Sequence, residues 1–302
     1  MTVLTRAFNA LPATARGAIW MVLGGISLIL LAVVIRDIQD KFHVLQMIFL
    51  RSIVSFLIIL PWALRQKRED LQTNRLPLHI FRNSIHYLGN VGWFIGVTLV
   101  TLADLQALQF TVPLFTIVMA TIFLKEQVGA HRWIATALGF IGALVIIRPG
   151  FVELSTGTIA VVFSAIFYAA SQTSTKSLSN TDSPNAILLY MSFIFIPVSA
   201  IPAFYVWVTP DWSDTIPIIL LGVFGYTAHA CIIRAFAAAD ASFVMPFDFL
   251  RLPIAAAFGF FLYSEWPSIW VWIGGAIIFA ATYYITWRES MIRKKAAKSI
   301  NE

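Results

Sequence analysis

Two ionisable residues, Asp248 and Arg251, stand three apart inside the otherwise apolar run Asp240–Glu265, DASFVMPFDFLRLPIAAAFGFFLYSE. A charged side chain at bilayer mid-depth costs about 2.5–3.5 kcal/mol on insertion scales, so it needs a partner or a wet cavity. At i,i+3 spacing on a helix the two share a face and can neutralise each other. Pro246 and Pro253 bracket them, and each removes a backbone N–H and loosens the helix locally. An Arg grips a carboxylate bidentately and aromatic rings offer stacking faces, so the chemistry indicated is recognition rather than bond breaking. The structural alternative is an internal pair that only fastens this helix to its neighbours.

Other residues reach the same depth, at about 1.5 Å of rise per residue. Tyr87 and Asn90 lie mid-span, with Trp93 further along; Gln109 and Phe110 lie in the half of their span opposite the termini, with Pro113 at its centre. Tyr226 is central in its span, His229 is one turn deeper, and Phe247 precedes the Asp248/Arg251 pair. Together these groups suit a zwitterionic or heteroaromatic solute. A second set reads as gating or structural: Arg51, Arg82, Pro113, Pro253, Glu126 and Glu265. Arg82 lies near a span end, where a long cation can snorkel to the interface. Glu126 and Glu265 close spans at opposite faces. His79 is placed for hydrogen bonding. His86 and His229 are deep enough to titrate, although packing histidines are more frequent.

The elements that must hold these groups are membrane helices. Of 302 residues, 59% are hydrophobic and 12% charged, against roughly 25% charged in soluble domains. Ten apolar stretches approach the ~20 residues needed to span a bilayer: 16–35, 44–64, 77–100, 103–124, 130–147, 157–176, 184–208, 215–238, 241–263 and 267–287. Fifteen of the 21 Lys and Arg then fall on one face, against Arg36, Lys41 and Arg148 on the other and Arg51, Arg82 and Arg251 within spans. This asymmetry places both termini in the cytoplasm and the chain in the inner membrane. The net charge of +6 follows from topology and implies no nucleic acid. A single cysteine, Cys231, excludes an intrachain disulfide. No Walker loop, HExxH, GxSxG or CxxC is present, so no enzyme activity, metal or other cofactor is expected.

The chain repeats. Leu124-Lys125-Glu126 recurs as Tyr263-Ser264-Glu265, and Trp133 as Trp272, at one offset of 139 residues. The expected units are residues 16–148, residues 157–288 and a basic tail, 289–302. Five spans per unit is odd, so the second unit enters the membrane from the opposite side. The fold class is all-α, ten transmembrane helices in two inverted repeats, an arrangement characteristic of secondary transporters.

Several stretches resemble the drug/metabolite transporter superfamily in its ten-helix EamA-type branch: FLR at Phe49–Arg51, LHIFR at Leu78–Arg82, VPLFTIVMATIFLKE at Val112–Glu126, RWIATALGFIGALVIIRPG at Arg132–Gly150, and RAFAAADASFVMPFDFLRLP at Arg234–Pro253. The resemblance implies a central cavity between halves, alternating access and a small-molecule substrate. The third span is similar to members that import S-adenosylmethionine or carboxylates. Import of such a metabolite or of a vitamin is the expectation, with export of amino acids or amphiphilic drugs the alternative and a membrane enzyme the rival class. The expected partners are the substrate, the lipid bilayer and whatever ion is coupled. Small-residue faces at Ala137–Gly142 and Gly274-Gly275 leave both a monomer and a homodimer open.

Overall fold

The computed structural model describes residues 8, 11–66, 72–125, 129–148, 154–178, 181–182, 184–238 and 247–300. Among them every regular element is helical: α1 (Ala13–Ile38), α2 (Val44–Ala63), α3 (Leu76–Leu99), α4 (Leu102–Gln109), α5 (Val112–Phe123), α6 (Ala130–Ile147), α7 (Thr156–Leu178), α8 (Pro184–Tyr205), α9 (Thr215–Ala238), α10 (Arg251–Tyr263) and α11 (Ile269–Ile300), with one 3-10 turn at Trp212–Asp214. Helices α4 and α5 are two pieces of one span, so the eleven helices make the ten spans expected. Four stretches are long and apolar enough to cross a membrane by length and composition alone: Ala13–Ile38, Val44–Ala63, Leu102–Phe123 and Trp212–Ala235. The others are shorter in their apolar part or, like α3, diluted by polar groups that the bundle buries.

Helix pairing follows the inverted repeat. Helix α1 packs along α9 and α7 packs along α3, the same contact seen from the two halves; α2 meets α8, α6 meets α11, and α4 meets α10 across the pseudo-two-fold. Close approach requires glycine at two of these crossings. A Cβ on Gly92 of α3 would sit 2.6 Å from the Ala160 carbonyl of α7, and one on Gly142 of α6 would sit 2.8 Å from the Gly274 carbonyl of α11. Small residues at helix crossings let backbones meet where lipid supplies no hydrophobic drive. The symmetry extends to the backbone: Lys125 and Ser264, 139 apart, both adopt the left-handed conformation, at φ 53° and 55°. Each ends its helix before the next starts, at Ala130 and Ile269 with the same offset. The largest core cluster joins Ile29, Ile35, Phe94, Leu105, Leu108, Leu252 and Ile278, so both halves share one interior.

Candidate functional site

Helix α3 carries His79, Arg82, Asn83, His86, Asn90 and Trp93, all buried, at spacings of three and four that put them on one face. Each asparagine donates its amide to the carbonyl four residues back, Asn83 to His79 at 2.8 Å and Asn90 to His86 at 2.9 Å. Their side-chain oxygens are thereby fixed as acceptors. Asn83 takes Arg82 Nη1 at 2.8 Å, and Asn90 takes Arg51 Nη2 of α2, also at 2.8 Å. Arg82 Nε also donates to Thr175 of α7 at 3.0 Å. Arg82 thus turns inward, 8% exposed, instead of snorkelling to the interface as its sequence position suggested.

This face borders a cavity of about 410 Å³ between the two halves, within the roughly 300–1,000 Å³ typical of small-molecule pockets. Arg51, Arg82, His86, Asn90 and Trp93 line it from the first half, with Gln106, Gln109, Phe110 and Pro113 of the broken span. Tyr168, Ser171, Gln172, His229, Asp248, Phe249, Arg251 and Thr282 line it from the second.

Two spans break at this cavity. The first stops at Gln109, and Phe110 and Thr111 make i→i−3 bonds to Ala107 and Leu108 before α5 resumes with Pro113 in its first turn. The second shows a helical turn at Phe247–Asp248, a turn at Phe249–Leu250, then α10 from Arg251. Phe110 and Phe249 are 139 apart, the offset of the repeat, and their rings stack at 4.1 Å with 25° between planes. The breaks are therefore symmetry mates that meet on the axis. Arg251 lies over Phe110, its Cζ 5.2 Å from the ring centroid, a cation–π contact. Asp248 Oδ2 and Arg251 Nη2 approach to 3.4 Å.

The face away from the termini is tied together by side chains. Arg36 at the end of α1 pairs with Glu265 at 2.6 Å, donates to the Val97 carbonyl at 2.7 Å and also donates to Val100 O. Glu265 accepts the Leu102 backbone N–H at 2.9 Å, which caps α4 and complements its dipole. Tyr263 lies under the Arg36 guanidinium at 4.7 Å. Four elements are tied by two side chains. In the loops of that face Lys41 bonds Asp214 and Asp211, which holds its ammonium above the ordinary lysine value. On the termini face His79 Nε2 meets Asp182 at 2.6 Å and Thr73 donates to Asp182 at 2.5 Å, fastening α3 to the α7–α8 turn. Burial of Asp182 opposes its ionisation, but hydrogen bonds from Thr73, His79 and Thr181 outweigh this and hold its carboxyl below the usual range.

A cavity between inverted halves, bordered by two broken helices, is the architecture of a carrier. The family model described as the EamA-like transporter family matches residues 15–148 and 155–287. The chain belongs to this family. It is 33% identical to the riboflavin transporter of Rhizobium johnstonii over 93% of this chain and 94% of that one. It is 28% identical to the S-adenosylmethionine uptake transporter of Rickettsia felis, over 95% and 98% of the two chains. One solved crystal structure shares the fold at a TM-score of 0.61 and 14% identity, covering 91% of this chain and 98% of that one. This EamA-like chain is a multi-pass membrane protein.

Of the binding residues expected from sequence, Arg251, Asp248, Asn90, Trp93, Gln109, Phe110 and His229 line the central cavity. Three lie beside it. Tyr226 lines a smaller cavity of about 90 Å³ between α2, α8 and α9, separated from the main one by Arg51 and His229, which line both. Tyr87 packs edge-on against Phe195, and Phe247 packs on Met21 and Ala235. Arg51, Arg82 and Pro113 of the gating set are wall residues, and Glu265 is the partner of Arg36. Pro253 occupies the first turn of α10, where a missing N–H is harmless. Glu126 and Pro246 lie outside the described residues. Sequence reasoning missed Phe249, Tyr168, Gln172 and Arg36. The repeat offset pointed from Phe110 to Phe249, while nothing local pointed from Arg36 to Glu265, 229 positions on.

Proposed function

We propose that this EamA-like chain imports a small organic metabolite across the inner membrane by alternating access, with the central cavity as its seat. The observation that carries the reading is a 410 Å³ cavity between inverted halves, lined by aromatic and charged side chains, with Arg36 and Glu265 paired on the face away from the termini. Both termini lie in the cytoplasm, on the face that gathers most of the Lys and Arg. Riboflavin and S-adenosylmethionine, the solutes named for two relatives, each contain a fused heteroaromatic ring. Trp93 and the Phe110–Phe249 stack offer flat faces for such a ring, and Asn90, Gln109, Asp248 and Arg251 offer polar contacts along its edge. The solute enters from the far side when the Arg36–Glu265 network opens. The halves then rock about the broken spans, with Pro113 and Pro253 tolerating the bend, and the solute leaves toward the cytoplasm.

The test is counterflow into liposomes carrying the purified chain. Uptake is expected to saturate with solute, and Arg251→Ala is expected to bring it to the level of protein-free liposomes while the variant still inserts and elutes as the wild type does. Normal uptake by Arg251→Ala would remove this residue from the seat.

A further inference from the structure

The cavity has more hydrogen-bond donors and positive charge than its own acceptors satisfy. Among the described residues that line it, Arg51, Arg82 and Arg251 are cations and Asp248 is the one carboxylate. Arg51 is 7% exposed, and its hydrogen bond goes to the neutral amide of Asn90. Arg82 bonds only the neutral Thr175 and Asn83. Four buried nitrogens on its wall have no hydrogen-bond partner: Nε of Arg51, Nε of Arg251, Nε2 of His86 and Nε2 of Gln106. Even with Asp248 fully credited to Arg251, two guanidinium charges have no carboxylate partner among the described residues, and Arg51 has only the rings of Phe94 and Phe195 beside the Asn90 amide. Buried charge and buried donors persist only where a counter-charge or acceptor completes them. The missing partner is an acceptor with negative charge.

We infer that the transported solute is an organic anion: a flat ring that stacks near Phe110 and Phe249 and bears a carboxylate or phosphate group held by Arg51 and Arg82. This rests on the central cavity being the transport seat. The same charge excess repels a cation such as a sulfonium, so the inference parts this chain from relatives that carry S-adenosylmethionine. A planar guanidinium suits either oxyanion, since both present two oxygens in a fork.

The experiment titrates the purified full chain in nanodiscs at low salt with matched probes: riboflavin against riboflavin 5′-phosphate, nicotinamide against nicotinate, and S-adenosylmethionine as the cation. The anionic member of at least one pair is expected to bind about tenfold more tightly than its neutral mate, and which pair responds separates phosphate from carboxylate. Arg51→Gln and Arg82→Gln should erase that preference, whereas Asp248→Asn should strengthen it. The opposite signs matter, because loss of fold would weaken binding in all three. Equal binding of both members in each pair, tighter binding of S-adenosylmethionine, weakening by Asp248→Asn, or no binding of either anion overturns the inference. Gln172→Cys in a Cys231→Ser background, labelled with a soluble thiol reagent, separates the two readings. Labelling with no charge preference defeats only the anion; absence of labelling defeats the cavity as a transport seat.

Discussion

Asn90 illustrates how this fold handles a charge it cannot hydrate. Its amide is anchored one turn back on α3, so its oxygen is already aimed when Arg51 arrives from α2. Single residues of this kind were half legible. Asp248 and Arg251 stood out because charge inside an apolar run is costly wherever it falls. Arg36 did not, because a cation at a span end is ordinary until its partner is known. Arg82 stayed open between snorkelling and facing the substrate because depth along a helix is visible in sequence, whereas the direction a side chain faces depends on neighbours. Asp182 yields a pH prediction at this scale. Its carboxyl titrates below the unfolded value of about 3.9, so its contribution to stability is complete above that value and is lost as pH falls through the folded one. In detergent, the melting temperature of the wild type should drop more steeply below about pH 4 than that of Asp182→Asn.

Elements were legible where a period or a proline marked them. Ten spans and their inversion followed from hydropathy and a repeated offset. The break at Phe110–Thr111 was signalled by Pro113 and its mate at Phe249–Leu250 by Pro246 and Pro253 on either side, but that the two are mates emerges only when the halves are superposed by 139 residues. Helix contacts were less visible, since a glycine in a membrane helix can face lipid or a neighbour. Gly92 faces a backbone carbonyl at a distance no Cβ tolerates. Gly92→Ala is therefore expected to destabilise the α3–α7 crossing by about 1–3 kcal/mol, the range for overpacking a tight contact. A thermal melt followed by tryptophan fluorescence checks this, and an unchanged melting temperature would mean that α3 and α7 part without strain.

For the whole molecule, the Arg36–Glu265 ion pair ties the two halves on the face away from the termini. Removing one partner of a largely buried ion pair costs about 3–5 kcal/mol in the state that contains it. Arg36 and Glu265 are 8% and 19% exposed at their side chains, so Glu265→Gln should shift the population toward a far-side opening. In a Cys231→Ser background, a cysteine at Leu31 on the cavity wall should then react at least about tenfold faster with a reagent added outside; an unchanged rate would remove the pair as a gate. In the first span of each half, where Gly17 and Gly157 set the offset at 140, the repeat carries Arg36 to Lys176; the offset of 139 carries Glu265 to Glu126, which lies outside the described residues.

The three guanidinium groups around one carboxylate also make the empty carrier a voltage-sensing body. Each elementary charge moved through 100 mV is worth about 2.3 kcal/mol, and rocking the chamber from one mouth to the other shifts the electric field across its walls. An inside-negative potential should hold the unloaded protein facing the cytoplasm, while a bound anion cancels the charge and frees the return. Potassium gradients set with valinomycin should therefore change the rate of net uptake, which needs the charged empty carrier to return, and leave exchange between loaded states unchanged.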